Sequence, residues 1–398
     1  MSDSLLRPAL VLGLLSAVGP FAIDMYLPAM PNIAADLGAT VPAMQSTITS
    51  YFIAFGLAQL VYGPWADAVG RKRPLYAGLA VFLAGTLICF LAPSVEALIA
   101  GRFVQGLGGA AVMVVPRAII RDLHTGHQAT RMMAAIMLVI SVSPFLAPLA
   151  GAGLMAMADW RAIFGVLGAA AFVSLAMTRF MLTETLAPEL RQPISGAALR
   201  AGTKTLLTHR GFLGLTFLGG FGMASFFVFI ASASFVYSYA FGLTPVQFSL
   251  AFAVNAMGFF GASQLAAGLG QKHGAAQVMA WATAGFALCT IGLFALAMIG
   301  ISGLWITIIG LFAANACLGL VIPTAMVMAL DDHGEIAGLA SSLGGTLQML
   351  VGGVMIAVTG PFFDGSVVPM LAAIALCGGL AFGLSRVVLA HTPIQTSA

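Results

Sequence analysis

The sequence predicts an all-α polytopic membrane protein with twelve transmembrane helices in two six-helix halves. Three observations predict this fold class: an apolar composition, twelve apolar runs and an internal repeat. Of the 398 residues, 60% are hydrophobic and only 7% are charged, whereas a typical soluble protein has about 25% charged residues. Twelve spanning helices of roughly 20 residues would use about 240 residues. The remainder suits short connections, so the composition excludes a large soluble domain.

The apolar runs form two sets of six, separated by a polar stretch. We assign residues 1–183 to an N-terminal six-helix bundle, 184–210 to a cytoplasmic linker and 211–398 to a C-terminal six-helix bundle. Asp24 and the proline-rich exit from the first run favour a retained helix over a cleaved signal peptide. The runs lie near residues 8–27, 44–64, 74–93, 96–119, 131–155, 160–182, 211–238, 246–270, 275–299, 302–328, 337–360 and 367–390.

The basic residues predict the orientation of the helices. With twelve spans and a cytoplasmic N-terminus, 14 of the 16 Lys and Arg residues fall in cytoplasmic connections or at helix ends beside them. The two exceptions are Arg102 and Arg161. Because cytoplasmic loops of membrane proteins carry an excess of Lys and Arg, we predict that both termini are cytoplasmic.

The two halves also repeat each other weakly. A Gln-Leu-x-x-Gly sequence that begins at Gln59 recurs at Gln264, at an offset of 205 residues, and Pro116 matches Pro323 at an offset of 207. Two parallel six-helix repeats are the plan of many secondary transporters, whose substrate site lies between the halves near mid-membrane. The repeat therefore predicts a transporter.

Two charged residues lie clearly inside the predicted spans, Asp24 in run one and Arg102 in run four. A charge at the centre of a helix costs about 2.5–3.5 kcal/mol on insertion scales, so each needs a reason to be retained. Helix geometry places both roughly 6–9 Å below the outer edge of the bilayer core. They can form a fixed structural ion pair or a pair that responds to protons and substrate. Gln105, one turn below Arg102, can orient Arg102, meet substrate or bond between helices.

The connection 63–73 is the most specific motif of the chain. Gly63 permits close approach of a helix, and Gly70 permits a sharp turn. Asp67 can neutralise a neighbouring helix N-terminus. Arg71 and the two basic residues after it anchor the loop inside. A purely topogenic basic loop would leave Gly63 and Asp67 without a role.

At these motifs the sequence resembles the major facilitator superfamily, in particular the twelve-span Bcr/CflA-type drug:proton antiporters. The resemblance covers essentially the whole chain. It implies the major facilitator fold, a bacterial inner-membrane location, and proton-coupled efflux of small drug-like or amphiphilic compounds by alternating access. The matching segments are 24–31 at the exit of helix one, 63–73 between helices two and three, 102–106 in helix four and 147–151 in helix five.

The resemblance also implies roles for individual residues. Ala68 and Ala147 depart from the family pattern, and Ser16 stands where related antiporters can have a second acid. Arg71 is expected to pair with Asp122. The implied sets are Asp24, Arg102 and Gln105 for proton coupling, Gly63, Asp67, Gly70, Arg71 and Asp122 for a conformational latch at the inner gate, and Pro144, Pro148 and Gly151 for the antiporter motif of helix five.

The polar and aromatic content of the spans predicts the cargo. One acid, one arginine and many Phe and Met residues suit a neutral or weakly cationic, mainly apolar compound. Candidate cavity residues are Tyr26, Asn255 and Phe226. Packing between helices is the alternative role for each of them.

The remaining features weigh against other classes of protein. The four cysteines lie in apolar runs without paired spacing, and no cluster of His or acidic residues typical of a catalytic or metal site occurs in the sequence. We predict no enzyme activity, no metal and no cofactor, with the proton gradient as energy source. Expected partners are a small-molecule substrate and the lipid bilayer, not nucleic acid, and the protein is expected to function as a monomer. Exporters of a normal metabolite, such as an amino acid or nucleobase, and nutrient symporters are the open alternatives.

Overall fold

The protein is represented by a computed structural model, which describes residues 3–124, 126–193, 195–331 and 333–390. The chain divides into two compact units, Met1–Gly196 and Ala197–Ala398. The boundary falls inside the stretch 184–210 that we assigned to a linker. Part of that stretch is helical, because α8 covers Gly196–Thr208.

The helices of the first unit follow one another with short connections. They are α1 (Asp3–Asp24), α2 (Met30–Leu37), α3 (Val41–Val69), α4 (Lys72–Phe90), α5 (Val95–Leu123), α6 (Gly126–Met157) and α7 (Arg161–Phe180). The helices of the second unit are α9 (Arg210–Tyr239), α10 (Pro245–Ser263), α11 (Ala266–His273), α12 (Ala275–Met298), α13 (Leu304–Asp331), α14 (Ala337–Thr359) and α15 (Val367–Ala390).

Several of these helices begin at a hydroxyl side chain that caps their free backbone N–H groups. Thr40 Oγ1 accepts from Ala43 N–H at the start of α3, and Ser94 Oγ accepts from Ala97 N–H at the start of α5. Thr244 begins α10 with a full capping box. A cap of this kind stabilises a helix by about 1 kcal/mol.

Within the described residues, twelve segments are helical, long enough and apolar enough to cross a membrane. This number agrees with the twelve apolar runs and confirms the predicted fold class, an all-α polytopic protein.

The same helix packing occurs in both units. In the first, α3 packs on α5, α4 on α5 and α7, and α1 on α5, α6 and α7. In the second, α10 packs on α13, α12 on α13 and α15, and α9 on α13, α14 and α15. When the six spans of each unit are counted in chain order, the six pairs are identical. The weak sequence repeat therefore reflects a repeated three-dimensional plan.

The first span departs from the uninterrupted run 8–27. Its helix α1 ends at Asp24, a turn and a 3-10 segment (Leu27–Ala29) follow, and α2 continues the span. Pro28 stands four residues after Asp24 and has no N–H to donate to the Asp24 carbonyl, which favours the end of α1 at this point. The end of α1 falls in the segment 24–31 that we assigned to the exit of helix one, and it puts Asp24 at a helix end.

The eighth span is also interrupted, between α10 and α11 at Gln264 and Leu265. Ser263 Oγ donates to the Phe260 carbonyl at 2.8 Å, a side-chain bond of the kind that bends helices. The matching residue of the first half, Gln59, lies in the unbroken helix α3. The repeat of sequence thus does not extend to the detailed helix geometry.

Two glycines bring α3, α4 and α5 together at one level. A Cβ atom on Gly85 would overlap the backbone of Gln105, and one on Gly106 would overlap the carbonyl of Tyr51. Only a residue without a side chain allows such close contact. Arg102 lies one turn along α5 from this contact and is therefore held deep inside the first unit.

Candidate functional site

Asp24 is a buried carboxyl at the last residue of α1, with 6% of its surface exposed. Its Oδ2 accepts a hydrogen bond of 3.0 Å from Ser143 Oγ on α6. A buried carboxylate needs such partners because it has lost its water. The partner is a neutral hydroxyl, so the charge of an ionised Asp24 is not neutralised by this contact.

Arg102 on α5 is fully buried. Its Nη1 donates to the Ala22 carbonyl at 2.9 Å and to Gln105 Oε1 at 2.5 Å. The guanidinium also lies 4.8 Å from the ring centre of Tyr26 and 4.4 Å from that of Tyr51, where the π faces attract a cation. The contact with Ala22 places Arg102 at the level of the end of α1, which is the depth expected from helix geometry.

Gln105 is oriented by a second hydrogen bond. Its Nε2 donates to Thr86 Oγ1 at 2.8 Å, and Thr86 Oγ1 donates to the Phe82 carbonyl at 2.7 Å. This chain through α4 turns Gln105 Oε1 toward Arg102. Three roles were open for Gln105. The hydrogen bonds of this structure show one of them, in which Gln105 orients the guanidinium of Arg102.

Asp24 and Arg102 form no ion pair among the contacts of the described residues; instead, Asp24 bonds Ser143 and Arg102 bonds Gln105. A fixed ion pair, one of the two alternatives left open by the sequence, is therefore not formed in this conformation. Two aromatic faces and the Gln105 amide compete for the guanidinium. Arg102 Nε and Nη2 have no hydrogen-bond partner in the described structure, so the cluster has donors free for a further acceptor.

The antiporter motif of α6 lies against this cluster. Pro144 and Pro148 are inside the helix, where each removes a backbone N–H donor. A Cβ on Gly151 would overlap the Met25 carbonyl, so the motif lets α6 contact the turn directly after Asp24. Ser143, which sequence reasoning did not single out, precedes Pro144 and carries the contact with Asp24 itself.

The three candidate cavity residues lie in different places. Tyr26, in the first unit, exchanges a hydrogen bond of 2.8 Å with Thr47 and stacks on Arg102. In the second unit, Asn255 Nδ2 donates to the Ala251 carbonyl at 3.0 Å. Phe226 stacks on Phe259 with ring centres 5.5 Å apart.

Asn255 belongs to an aromatic region of the second unit. Phe229 and Phe252 stack nearly parallel with ring centres 5.6 Å apart, and Phe229 also meets the ring of Tyr237 edge to face. The hydroxyl of Tyr237 and the side chain of Asn255 are both buried and lie beside each other. The region combines apolar rings with a pair of neighbouring polar groups.

The inner loop, residues 63–73, is organised around Arg71, whose side chain is 6% exposed. Its Nε and Nη2 donate to the two carboxylate oxygens of Asp122 at 2.7 and 3.1 Å, and its Nη1 donates to Asp67. The pairing with Asp122 implied by the resemblance is present. Burial lowers the pKa of Arg71, but the hydrogen bonds and charges of Asp122 and Asp67 outweigh burial and raise it, so the side chain remains a cation.

Glu184 is a member of this network that sequence reasoning missed. Its carboxylate accepts from the backbone N–H groups of Arg71 (2.8 Å) and Lys72 (3.2 Å) at the start of α4. It also accepts from Thr185 and Leu186 N–H. We expected Asp67 to neutralise a helix N-terminus, but within the first unit Glu184 does so. The sequence shows that Glu184 stands at the start of the polar linker. It does not show that the Glu184 carboxylate reaches back to the N-terminus of α4.

The four N–H donors also determine the ionisation of Glu184. Burial raises the pKa of its carboxyl, but the backbone hydrogen bonds outweigh burial and hold the pKa below its ordinary value of 4.5. A carboxyl with a lowered pKa stabilises the folded state at neutral pH, and that contribution is lost as the pH falls through the folded pKa.

Replacing Glu184 by Gln should lower the melting temperature of the purified protein in detergent near pH 7. The amide presents one acceptor oxygen in place of two and carries no charge at the α4 N-terminus. The difference from wild type should shrink as the pH falls below the ordinary pKa of 4.5 and the wild-type carboxyl becomes protonated. Glu189→Gln, an exposed residue of the same segment, is the control. Equal melting temperatures at pH 7 would contradict the role of Glu184.

The two glycines of the inner loop differ in their surroundings. Gly70 has φ +96°, and a Cβ there would lie 2.6 Å from Glu184 Oε2, so the sharp turn is as predicted. Around Gly63 nothing described lies within 4 Å of an added Cβ. Within the described residues of the first unit, Gly63 therefore makes no close approach to another helix.

Gly70→Ala should destabilise the protein by at least about 1 kcal/mol, because a side chain at positive φ is strained and would displace Glu184. Gly63→Ala should change stability much less. Thermal unfolding in detergent compares the two. A Gly70→Ala variant as stable as Gly63→Ala would show that the turn is not constrained as described.

Histidine and cysteine form no metal-binding constellation in the part of the chain that the structure describes, where no group of three or more potential ligands occurs. The four cysteines are free. Two histidines from separate connections do meet: His333 Nε2 lies 3.3 Å from His209 Nδ1, which also accepts from Phe212 N–H at the start of α9. The sequence offered no signal for this contact.

Comparison with known proteins identifies the family. The Major Facilitator Superfamily model matches residues 12–357. The chain belongs to this superfamily. It is therefore a multi-pass membrane transporter of small molecules and not an enzyme. A bicyclomycin resistance protein homolog of Haemophilus influenzae is 31% identical, covering 92% of each chain. Multidrug resistance protein D of Escherichia coli is 31% identical, covering 87% of this chain and 86% of its own. These relatives support the Bcr/CflA-type branch and a bacterial inner-membrane location.

The fold agrees with solved structures of the superfamily. A D-xylose-proton symporter has a TM-score of 0.74 with 14% identity, covering 96% of this chain and 97% of its own. At this identity the likeness shows the fold alone. It supports the major facilitator fold implied by the sequence motifs.

Proposed function

We propose that this transporter exports small, mainly apolar drug-like compounds in exchange for protons by alternating access, with its pathway open to one side of the membrane at a time. The observation that carries the proposal is the buried cluster of Asp24, Arg102 and Gln105. It holds one acid without a neutralising partner and one arginine with free donors. The names of the relatives, multidrug and bicyclomycin resistance proteins, support drugs as the cargo.

Asp24 is the proposed protonation site. Burial away from water favours a neutral carboxyl, whereas a nearby arginine favours the carboxylate. Arg102 can therefore bias proton uptake by turning between Asp24 and Gln105. Protonation from outside would release substrate outward, and proton release inside would restore the substrate-binding form. The energy comes from the proton gradient, with no cofactor.

The proposed cargo is neutral or singly cationic. A dication would need a second acid, but the buried position where related antiporters can have one is Ser16. A dianion would find one buried arginine, whose single positive charge cannot neutralise two negative charges. A neutral amphiphile avoids the cost of burying an unpaired charge and gains about 25 cal/mol per Å² of apolar area buried.

The inner loop is proposed to act as a latch of the outward-open state, and the protein to work as a monomer with both termini cytoplasmic. The Arg71–Asp122 pair and the Glu184 contacts support the latch, because they fix one conformation of the loop. The concentration of basic residues in the predicted inner connections supports the orientation.

Purified protein in liposomes with an acidic lumen tests the function. Protons leaving the lumen should drive accumulation of chloramphenicol, a neutral compound that does not concentrate passively in acid. Other neutral drugs should compete, and divalent cationic dyes should not. Empty liposomes and a protonophore are the controls. Accumulation only with an alkaline lumen would indicate a symporter, and transport of a single polar metabolite would indicate a selective exporter.

A further inference from the structure

We propose that Ser143 and the carbonyl of Ile140 form a hydrogen-bond switch that lets Asp24 gain and lose its proton while the Ser143 hydroxyl and the protonated Asp24 carboxyl always have an acceptor. Ser143 is thus a positioning residue for proton coupling. The inference rests on the proposed role of Asp24. It assigns a specific task to Pro144, because this proline leaves the Ile140 carbonyl free.

The first part of the switch is the direct contact between α6 and the end of α1. Ser143 Oγ donates to Asp24 Oδ2 at 3.0 Å, and Ser143 is completely buried. The close approach of Gly151 to the Met25 carbonyl keeps α6 at this distance. Asp24 and Ser143 are both buried, which limits the access of bulk water to the carboxyl.

The second part is the free carbonyl supplied by Pro144. In an α-helix the carbonyl of Ile140 would accept from the N–H of residue 144, but proline has none. A serine hydroxyl reaches the carbonyl three residues before it, as Ser50 does with Thr47 at 3.0 Å and Ser385 with Phe382 at 2.7 Å. Ile140 is three residues before Ser143, so its unused carbonyl is within the normal reach of this hydroxyl.

The protons balance in both states. When Asp24 is ionised, the Ser143 hydroxyl donates to the carboxylate, as in this structure. When Asp24 binds a proton, its new O–H donates to Ser143 Oγ, and the serine hydrogen rotates to the Ile140 carbonyl. One proton has been added, and each donor has an acceptor. Without Ser143, the protonated form would lose its acceptor and the ionised form its donor.

The other polar groups near Asp24 are engaged elsewhere. On α5, Arg102 bonds the Ala22 carbonyl and Gln105. Tyr26 bonds Thr47, and the hydroxyl of Tyr51 on α3 donates to the Gly19 carbonyl at 3.5 Å. The charged residues of α7, the remaining neighbour of α1, are Arg161 at its first residue and Arg179 in its last turn. Ser143 is the group in direct contact with the carboxyl.

Infrared difference spectroscopy of the purified protein can follow Asp24 directly and needs no substrate. The carbonyl band of the protonated carboxyl is assigned by its loss in Asp24→Asn, and its pH midpoint is measured in Ser143→Thr and Ser143→Val. These two variants have the same shape and differ by the hydroxyl. The midpoint should stay near wild type in Ser143→Thr and rise by about one pH unit in Ser143→Val, because the charged carboxylate loses more with its donor than the neutral acid loses with its acceptor.

Pro144→Ala should shift the pH midpoint of the Asp24 band in the opposite direction. The new N–H at residue 144 competes for the Ile140 carbonyl and disfavours the protonated state, so the midpoint should fall, by less than it rises in Ser143→Val. Equal midpoints in Ser143→Thr and Ser143→Val would overturn the inference, as would an Asp24 band that does not titrate in wild type. If the midpoints shift as expected but Asp24→Asn still accumulates chloramphenicol uphill, the proposed function fails while the switch stands.

Discussion

Asp24→Asn should abolish uphill accumulation of chloramphenicol in liposomes with an acidic lumen, to the level of empty liposomes. The amide has the shape of the carboxyl and its Oδ1 can still accept from Ser143, so the fold should be retained. It cannot bind and release a proton, so downhill exchange of the drug should continue while coupling is lost. Transport is measured with radiolabelled chloramphenicol, and the melting temperature reports folding.

Asp364→Asn is the matched control for this change. Asp364 is an exposed acid in the loop before α15, where its Oδ1 accepts from Ser366 N–H, and asparagine keeps that bond. Uphill transport should remain at the wild-type level. If Asp24→Asn also retained uphill accumulation, Asp24 would be removed from the mechanism.

Arg102→Ala should remove transport and also destabilise the protein, by about 2–5 kcal/mol. The substitution leaves Gln105 Oε1 and the Ala22 carbonyl without their donor and opens a cavity between the rings of Tyr26 and Tyr51. Arg102→Lys separates the two effects, because it keeps the cation. A lysine ammonium lacks the planar fork of donors, so stability should recover more than transport.

These outcomes are measured as the thermal unfolding temperature and as proton-driven uptake in liposomes. Wild-type transport by Arg102→Ala would show that the guanidinium is a packing element. Full recovery of transport in Arg102→Lys would show that only the charge matters. Either result would require a different account of proton coupling.

The number and approximate positions of the helices could be predicted from the sequence because burial in lipid requires long apolar runs. The end of α1 at Asp24 could also be predicted, because Pro28 follows four residues later and has no N–H to donate to the Asp24 carbonyl. The interruption of the eighth span at Gln264 had no comparable signal. Local chemistry visible in the sequence favours the end of α1 at Asp24, whereas the bond of Ser263 at the second break is seen only in the structure.

In the candidate site, too, the sequence predicts some features, whereas others depend on the packing of the helices. Asp24, Arg102 and Gln105 stood out because polar groups in apolar helices are rare. Which partners Asp24 and Arg102 bond could not be predicted, because the choice depends on side chains from other helices. Ser143 is 119 residues from Asp24, and Glu184 is 113 residues from Arg71. Contacts across such separations follow from the packing of the helices and leave no spacing pattern in one sequence.

Drug-driven proton movement tests proton:drug antiport most directly. Liposomes containing the protein and a pH-sensitive dye are loaded with chloramphenicol and diluted into drug-free buffer at the same pH. As the drug leaves, antiport predicts that protons enter and the lumen acidifies, and that Asp24→Asn removes this signal. An alkaline shift of the lumen, or no shift while the drug leaves through the wild-type protein, would contradict antiport.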